Sequence, residues 1–216
     1  MHKQIKLKAL YFGTPVVLIS TRNEDKTSNL APFSSAWWMG KSCVLGMSTR
    51  SKTFENLSRE RELVINLPTP ELVSNVNRLA LVTGKDPVPD YKEKMGYRFE
   101  SDKFELAGFN EIASLDVRAS RVLECPVNLE AQVKQIHVVG SPDHNLAAIE
   151  VEIIQIHIDD YYLIPGTNYV DVEKWSPLIM NFCEFFGLTS VIHPSKLAEA
   201  WFPPSKNLDR KILTSN

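Results

Sequence analysis

The chain has 216 residues, 24 basic and 26 acidic, and a formal net charge of -2. At 24.5 kDa, surface scaling predicts roughly 10,000 Å² folded against roughly 35,000 Å² unfolded, so about 70% can be buried without disulfide staples. With 44% hydrophobic and 23% charged residues, no apolar run near a membrane span and a pI of about 6.2, the sequence excludes disorder, a membrane helix and a phosphate-tracking nucleic-acid binder.

Met1 to Lys8 carries charges but no following apolar stretch with a cleavage site, so a secretion signal is not expected and the expected location is cytoplasmic. Cys43, Cys125 and Cys183 are far apart and odd in number, which predicts reduced, largely buried thiols and no metal site. Val16 to Thr21 reads as a strand, broken by the polar hairpin-type loop Arg22 to Ser28. Trp37 and Trp38 would point to opposite faces of an extended segment, one into the core and the other to an interface or a planar ligand, with core or dimer packing the favoured role. Ser42 to Ser48 is another strand, with Gly46 permitting close backbone approach. Thr53 to Glu60 is a short helix with Phe54 and Leu57 inward and Glu55 positioned to pair with Arg59.

Leu63 to Leu67 is a strand stopped by Pro68. Thr69, Pro70 and Glu71 mark a helix start, Leu72, Val76, Leu79 and Ala80 its apolar stripe, and Gly84 its end. Residues 85–108 differ in texture, mixing Pro87, Pro89, six acidic, five basic and several aromatic side chains. They read as an irregular insertion with one helical turn near Tyr91, lying over the core as a flap. Val127 to Lys134 and Ile149 to Ile158 alternate as two long strands, joined by a turn over 140–145. The apolar phase of the second flips at Ile154, which predicts a β-bulge. Pro177 to Phe186 reads as a helix ended by Gly187, and Ser195 to Trp201 as a further amphipathic segment. The domain reading is therefore one unit over 1–176, carrying the insertion 85–108, and a helical extension over 177–216. The fold class is mainly β with flanking helices, a sheet or barrel of antiparallel strands.

Two segments carry chemistry. Asn29 to Ser35 (N-L-A-P-F-S-S) can offer backbone groups to a flat ligand edge, Pro32 and Phe33 to its face, and Asn29, Ser34 and Ser35 as polar partners. Read from the residues alone, an ordinary strand edge is the favoured account. Ser48, Thr49, Arg50, Ser51, Lys52 and Thr53 place four hydroxyls and two cations between a strand and a helix start. Free N–H groups and the positive helix end favour a phosphate there, and a helix cap with solvated charges explains the pattern equally well. The glycine-rich nucleotide loop is absent. His137, His144 and His157 match no zinc spacing; His144, beside Asp143 in a turn, is the functional candidate among them.

In order and spacing, P-V-V-L-I-S-T (15–21), N-L-A-P-F-S-S (29–35), S-T-R-S-K-T-F-E-N (48–56) and E-L-V-I-N-L (62–67) resemble the flavin reductase-like family of FMN-binding split barrels. The similarity covers about residues 9 to 160. It implies a Greek-key split β-barrel, a homodimer, and FMN bound near the subunit interface. It also implies Asn29, Ala31, Pro32, Phe33, Ser34 and Ser35 by the isoalloxazine ring, and Ser48 to Thr53 at the phosphate. NADH or NADPH would pass hydride to the flavin, which would hand electrons to a flavin or small-molecule acceptor, with no protein acid or base required. The G-S-P-D-H turn (140–144) only loosely matches the family's G-D-H, which leaves His144 as the candidate nicotinamide-side residue. A non-catalytic flavin-storage protein and a cofactor-free interaction module are the competing readings.

Overall fold

In a computed structural model, the structure describes residues 1–7, 10–193 and 195. The elements in chain order begin with β1 (Thr14–Pro15), β2 (Val17–Arg22), β3 (Ser28–Phe33), β4 (Ala36–Met39) and β5 (Ser42–Ser48). Then come α1 (Lys52–Glu60), β6 (Glu62–Leu67), α2 (Val73–Arg78), β7 (Val82–Thr83), α3 (Asp90–Glu93), β8 (Arg98–Phe99) and α4 (Lys103–Ala107). The chain continues through β9 (Glu111–Ile112), β10 (Arg121–Val122), β11 (Val127–Val138), β12 (Leu146–Ile158), β13 (Ile179–Asn181) and β14 (Glu184–Phe186).

The protein is mainly β, with short helices. Seven antiparallel strands form one sheet in the order β3-β2-β6-β11-β12-β5-β4. Val17 and Ile19 near one end of that order share a single core with Ala36 at the other, through Leu45, Ile65, Leu129 and Ile149. A sheet whose two ends reach one core must curl around it. The predicted phase flip is a bulge: Glu130 pairs with Gln155 and Ala131 with Ile153, leaving Ile154 as the extra residue. The close approach at Gly46 is also present. Its N–H donates to Ser35 O at 2.7 Å, and a Cβ there would lie 2.9 Å from the Ser35 Cβ.

A second core lies behind β2 and β3, where Leu18 and Leu30 meet Val76 and Leu79, Phe104 and Ala107 of α4, and Leu178. The insertion 85–108 is therefore divided. Its one helical turn near Tyr91 is α3, as the sequence predicts, but α4 is rooted in the interior rather than laid over it.

Several expectations are corrected. The helix predicted up to Gly84 is a 3-10 turn at Pro70–Leu72 and the six-residue α2; the chain then enters β7, paired in parallel with β8. Glu55 does not pair with Arg59. It lies 2.6 Å from Lys85 and 3.7 Å from Lys52, while Arg59 bonds Glu60, because the insertion brings a nearer cation to Glu55. The helix predicted over 177–186 is the hairpin β13–β14, and β13 also pairs with β1, so the extension is not helical there. Phe182 and Cys183 both take positive φ at the hairpin tip, a turn that side-chain identity did not announce. Cys183 is exposed, whereas Cys43 and Cys125 are buried. Neither Trp37 nor Trp38 enters the core, since β4 is an edge strand; both are exposed. Apart from Ser195 itself, the segment predicted over 195–201 lies outside the described residues.

Candidate functional site

The cleft is built where β3 and the start of α1 meet the 79–84 stretch and the insertion. Its volume is about 290 Å³. Ala31, Pro32 and Phe33 form one wall, and Leu79, Ala80 and Val82 extend the apolar lining. Ser48, Ser51, Lys52 and Thr53 form the polar end, and Tyr91, Lys92, Met95 and Tyr97 of the insertion cover it. Lys103 completes the lining from α4. Among the described residues the cleft thus carries three lysines, and no carboxylate lines it.

Local sequence explains each placement. Pro32 has no N–H to give, and it sits on β3, which is an edge strand of the large sheet. Ser51 is the N-cap of α1: its Oγ accepts from Phe54 N at 3.1 Å, so its own proton is left to donate outward. Ser48 Oγ accepts from Arg50 N at 3.3 Å. The cap reading of 48–53 is present, and it does not compete with an anion, because the capping bond uses the oxygen and not the hydroxyl proton.

Behind the cleft wall lies a buried polar chain. Asn29 Nδ2 donates to Thr21 Oγ1 at 3.2 Å and to Thr53 Oγ1 at 3.3 Å, and Lys103 Nζ donates to Asn29 Oδ1 at 2.8 Å. Asn56 Nδ2 donates to the same Thr21 Oγ1 at 3.0 Å. Gly84 lies against this chain: a Cβ there would stand 2.9 Å from Asn29 Oδ1 and 3.1 Å from Lys52 Cγ. Burial, with help from the charge of Lys92, pushes the Lys103 ammonium down to about 8. Burial, then the charge of Lys85, likewise lowers Lys92, whose Nζ donates to Thr83 Oγ1 at 3.1 Å.

The structure brings together Ala31, Pro32, Phe33, Ser48, Ser51, Lys52 and Thr53 of the sequence-predicted set. Asn29 stands just behind them, through Lys103 and Gly84. Ser34, Ser35, Thr49 and Arg50 do not line the cleft. The Arg50 guanidinium stacks over the Tyr91 ring, 3.9 Å from its centroid, and so ties the phosphate-type turn to the insertion. His144 is exposed in the turn between β11 and β12, outside the lining; Thr49 N donates to the neighbouring Asn145 O at 2.9 Å. His157 lies 2.7 Å from the buried Glu130 carboxylate, and His137 lies 3.4 Å from Glu150.

Sequence reasoning missed Thr83, Tyr91, Lys92, Tyr97 and Lys103 as lining residues. The helix that carries Lys103 was legible, since Asp102 caps α4 by accepting from Glu105 N at 2.9 Å in the D-x-x-E pattern of a helix start, but nothing in that pattern marks the lysine itself. Two observations fit a polar, anionic, partly flat ligand here. The cleft pairs an apolar wall with an excess of cations, and among the described residues the buried Tyr91 hydroxyl has no hydrogen-bond partner.

A family model described as "Flavin reductase like domain" matches residues 9–171. A Bacillus subtilis (strain 168) protein, YdfE, itself uncharacterised, is 38% identical over 186 residues, spanning 86% of this chain and 89% of that protein. Among solved structures, flavoredoxin of Desulfovibrio vulgaris (Miyazaki F) superposes with a TM-score of 0.75 at 18% identity, over 92% of this chain and 100% of that one. Nitrilotriacetate monooxygenase component B from Bacillus cereus gives 0.69 at 15% identity, over 85% and 88%.

Proposed function

Because the chain belongs to the flavin reductase-like family, we propose that the cleft binds FMN and that the protein is an NAD(P)H-dependent FMN oxidoreductase. The observation that carries this reading is the meeting of an apolar wall, a helix N-terminus with a free Ser51 proton, and three lysines without a lining carboxylate. A dianionic phosphate would sit at Ser48, Ser51, Lys52 and Thr53, where N–H groups and the helix dipole favour it. The ring would lie against Ala31, Pro32 and Phe33, with Asn29 behind.

Bound FMN would supply the hydride chemistry, and the chain's own residues bind, orient and cover it. Tyr91, Met95 and Tyr97 exclude water from one side. His144, on its exposed turn, is assigned a contact to the nicotinamide donor; unchanged NAD(P)H kinetics in His144→Ala would reject that role. The acceptor is a flavin or a small molecule. Exposed Trp37, Trp38 and Met39 along edge strand β4 support a homodimer.

One observation favours flavin storage as the second reading. The insertion lies over the cleft and would shield a ring held there. The experiment is the absorption spectrum of the purified protein with FMN, before and after anaerobic NADH or NADPH. Bleaching within seconds supports the oxidoreductase, a stable yellow complex supports storage, and no flavin binding defeats both.

A further inference from the structure

Lys103 is a buried charge that the chain itself leaves incomplete. The residue is 3% exposed. Its ammonium donates to Asn29 Oδ1, a neutral amide, and among the described residues no carboxylate forms an ion pair with it. Glu100 attracts it from farther off, while Lys92 and Lys52 repel it. An ammonium carries three donors, and buried charges are ordinarily paired. The missing partner is therefore something that enters the cleft, which Lys103 lines.

The position of the ammonium narrows what that partner is. The amide of Asn29 is oriented by its bonds to Thr21 and Thr53, so its oxygen faces Lys103. This holds Nζ at Asn29 of β3, the strand whose Ala31, Pro32 and Phe33 form the apolar wall, and beside Gly84, where the Lys52 stem is also close. Under the flavin reading, on which this inference rests, the ring lies along that wall, and a comparison of FMN with riboflavin separates a charge at the ring from one at the phosphate. Two electrons and one proton convert the neutral oxidised ring into a monoanion. A fixed cation beside the ring binds the second form better than the first.

We propose that Lys103 is a positioning residue for charge, which binds the reduced anionic flavin in preference to the oxidised one and so raises its reduction potential. The test is the midpoint potential of bound FMN, titrated with dithionite as the source of electrons and water as the source of the proton. Lys103→Met keeps the bulk and removes the charge. A 10- to 100-fold loss of preference for the reduced form lowers the midpoint by about 30–60 mV for a two-electron couple. Lys103→Arg restores most of it. Asn29→Asp keeps the ammonium in place but gives it a counter-charge, and should lower the midpoint in the same direction even if the Met variant does not fold.

An unchanged midpoint in a variant that still binds FMN overturns the proposal. So does a loss of oxidised FMN affinity with riboflavin affinity intact, since that would make Lys103 a phosphate ligand. Wild-type protein that binds neither FMN nor riboflavin overturns the flavin reading itself, a different and separately visible result.

Discussion

Gly84→Ala tests the geometry of the cleft with one methyl group. The glycine's φ is not positive, so its backbone accepts alanine, and the loss of chain freedom in the unfolded state should stabilise by about 0.4–1 kcal/mol. Against that, the new Cβ would lie 2.9 Å from Asn29 Oδ1, 3.1 Å from Lys52 Cγ and 3.5 Å from Lys103 Nζ. The Lys52 stem can swing aside. Asn29 cannot, because Thr21, Thr53 and Lys103 hold its amide at both ends. Overpacking of this kind costs about 1–3 kcal/mol. The expected net is about 1 kcal/mol of destabilisation, a fall of about 2–4 °C in Tm for a chain of this size. Moving Asn29 also moves Lys103, so FMN affinity should drop about tenfold, equivalent to about 1.4 kcal/mol. Thermal unfolding and a flavin fluorescence titration measure the two effects. A raised Tm with unchanged FMN affinity would mean that the methyl is accommodated freely, and would refute the placement of Asn29 and Lys103 against Gly84.

Three further outcomes are expected. Lys52→Ala should weaken FMN far more than riboflavin, whereas Arg50→Ala should act less selectively, since Arg50 stacks on Tyr91 outside the lining; equal losses for both ligands in Lys52→Ala would reject the phosphate assignment. In the ligand-free protein, lowering the Lys103 ammonium from 10.5 to about 8 costs about 3 kcal/mol while it stays charged, at about 1.36 kcal/mol per pH unit. Because the native state releases that proton first, stability measured by urea unfolding should rise between about pH 8 and 10.5, and Lys103→Met should flatten the rise. Cys183→Gly should stabilise by about 1 kcal/mol, because Cys183 holds φ 69° at the hairpin tip; an unchanged or lowered urea midpoint would contradict the turn geometry.

What was legible in the sequence follows from which physical signals are local. Strands with β-branched runs, such as Val17 to Thr21 and the long pair β11 and β12, show their period directly. Even the bulge at Ile154 is readable, because one extra residue reverses every later side chain. The hairpin β13–β14 is not, because Leu178, Phe182, Phe185 and Phe186 fall on helical spacing while the decisive feature is a backbone turn made without glycine or asparagine. In the cleft, residue type left the β3 segment an ordinary strand edge and the β5–α1 segment evenly balanced between cap and phosphate site, and the ordered resemblance of four segments singled both out. Lys103 was not singled out, since a lysine's sequence context rarely betrays burial. Its burial comes from tertiary contacts: the packing of α4 in the second core, Gly84, and Asn29, 74 positions away.

The division of the insertion bears on how the site works. Its stem is tied down by Arg98 N to Leu81 O at 3.1 Å and Glu100 N to Thr83 O at 2.9 Å, and α4 is packed in the second core through Phe104 and Ala107. Lys103 therefore belongs to the packed frame and not to the cover. Lys92 and Tyr91 belong to the cover, which meets the frame through the Lys92 bond to Thr83, the Tyr91 stack on Arg50 and the Lys85–Glu55 ion pair. A ligand anion entering the cleft would meet a fixed cation first and then gain Lys92 and the unpartnered Tyr91 hydroxyl from the cover. By linkage, each contact that the cover adds to a ligand would in turn stabilise the cover where it stands. Arg50 would then contribute through Tyr91 rather than through direct contact, since it stacks on that ring and does not line the cleft.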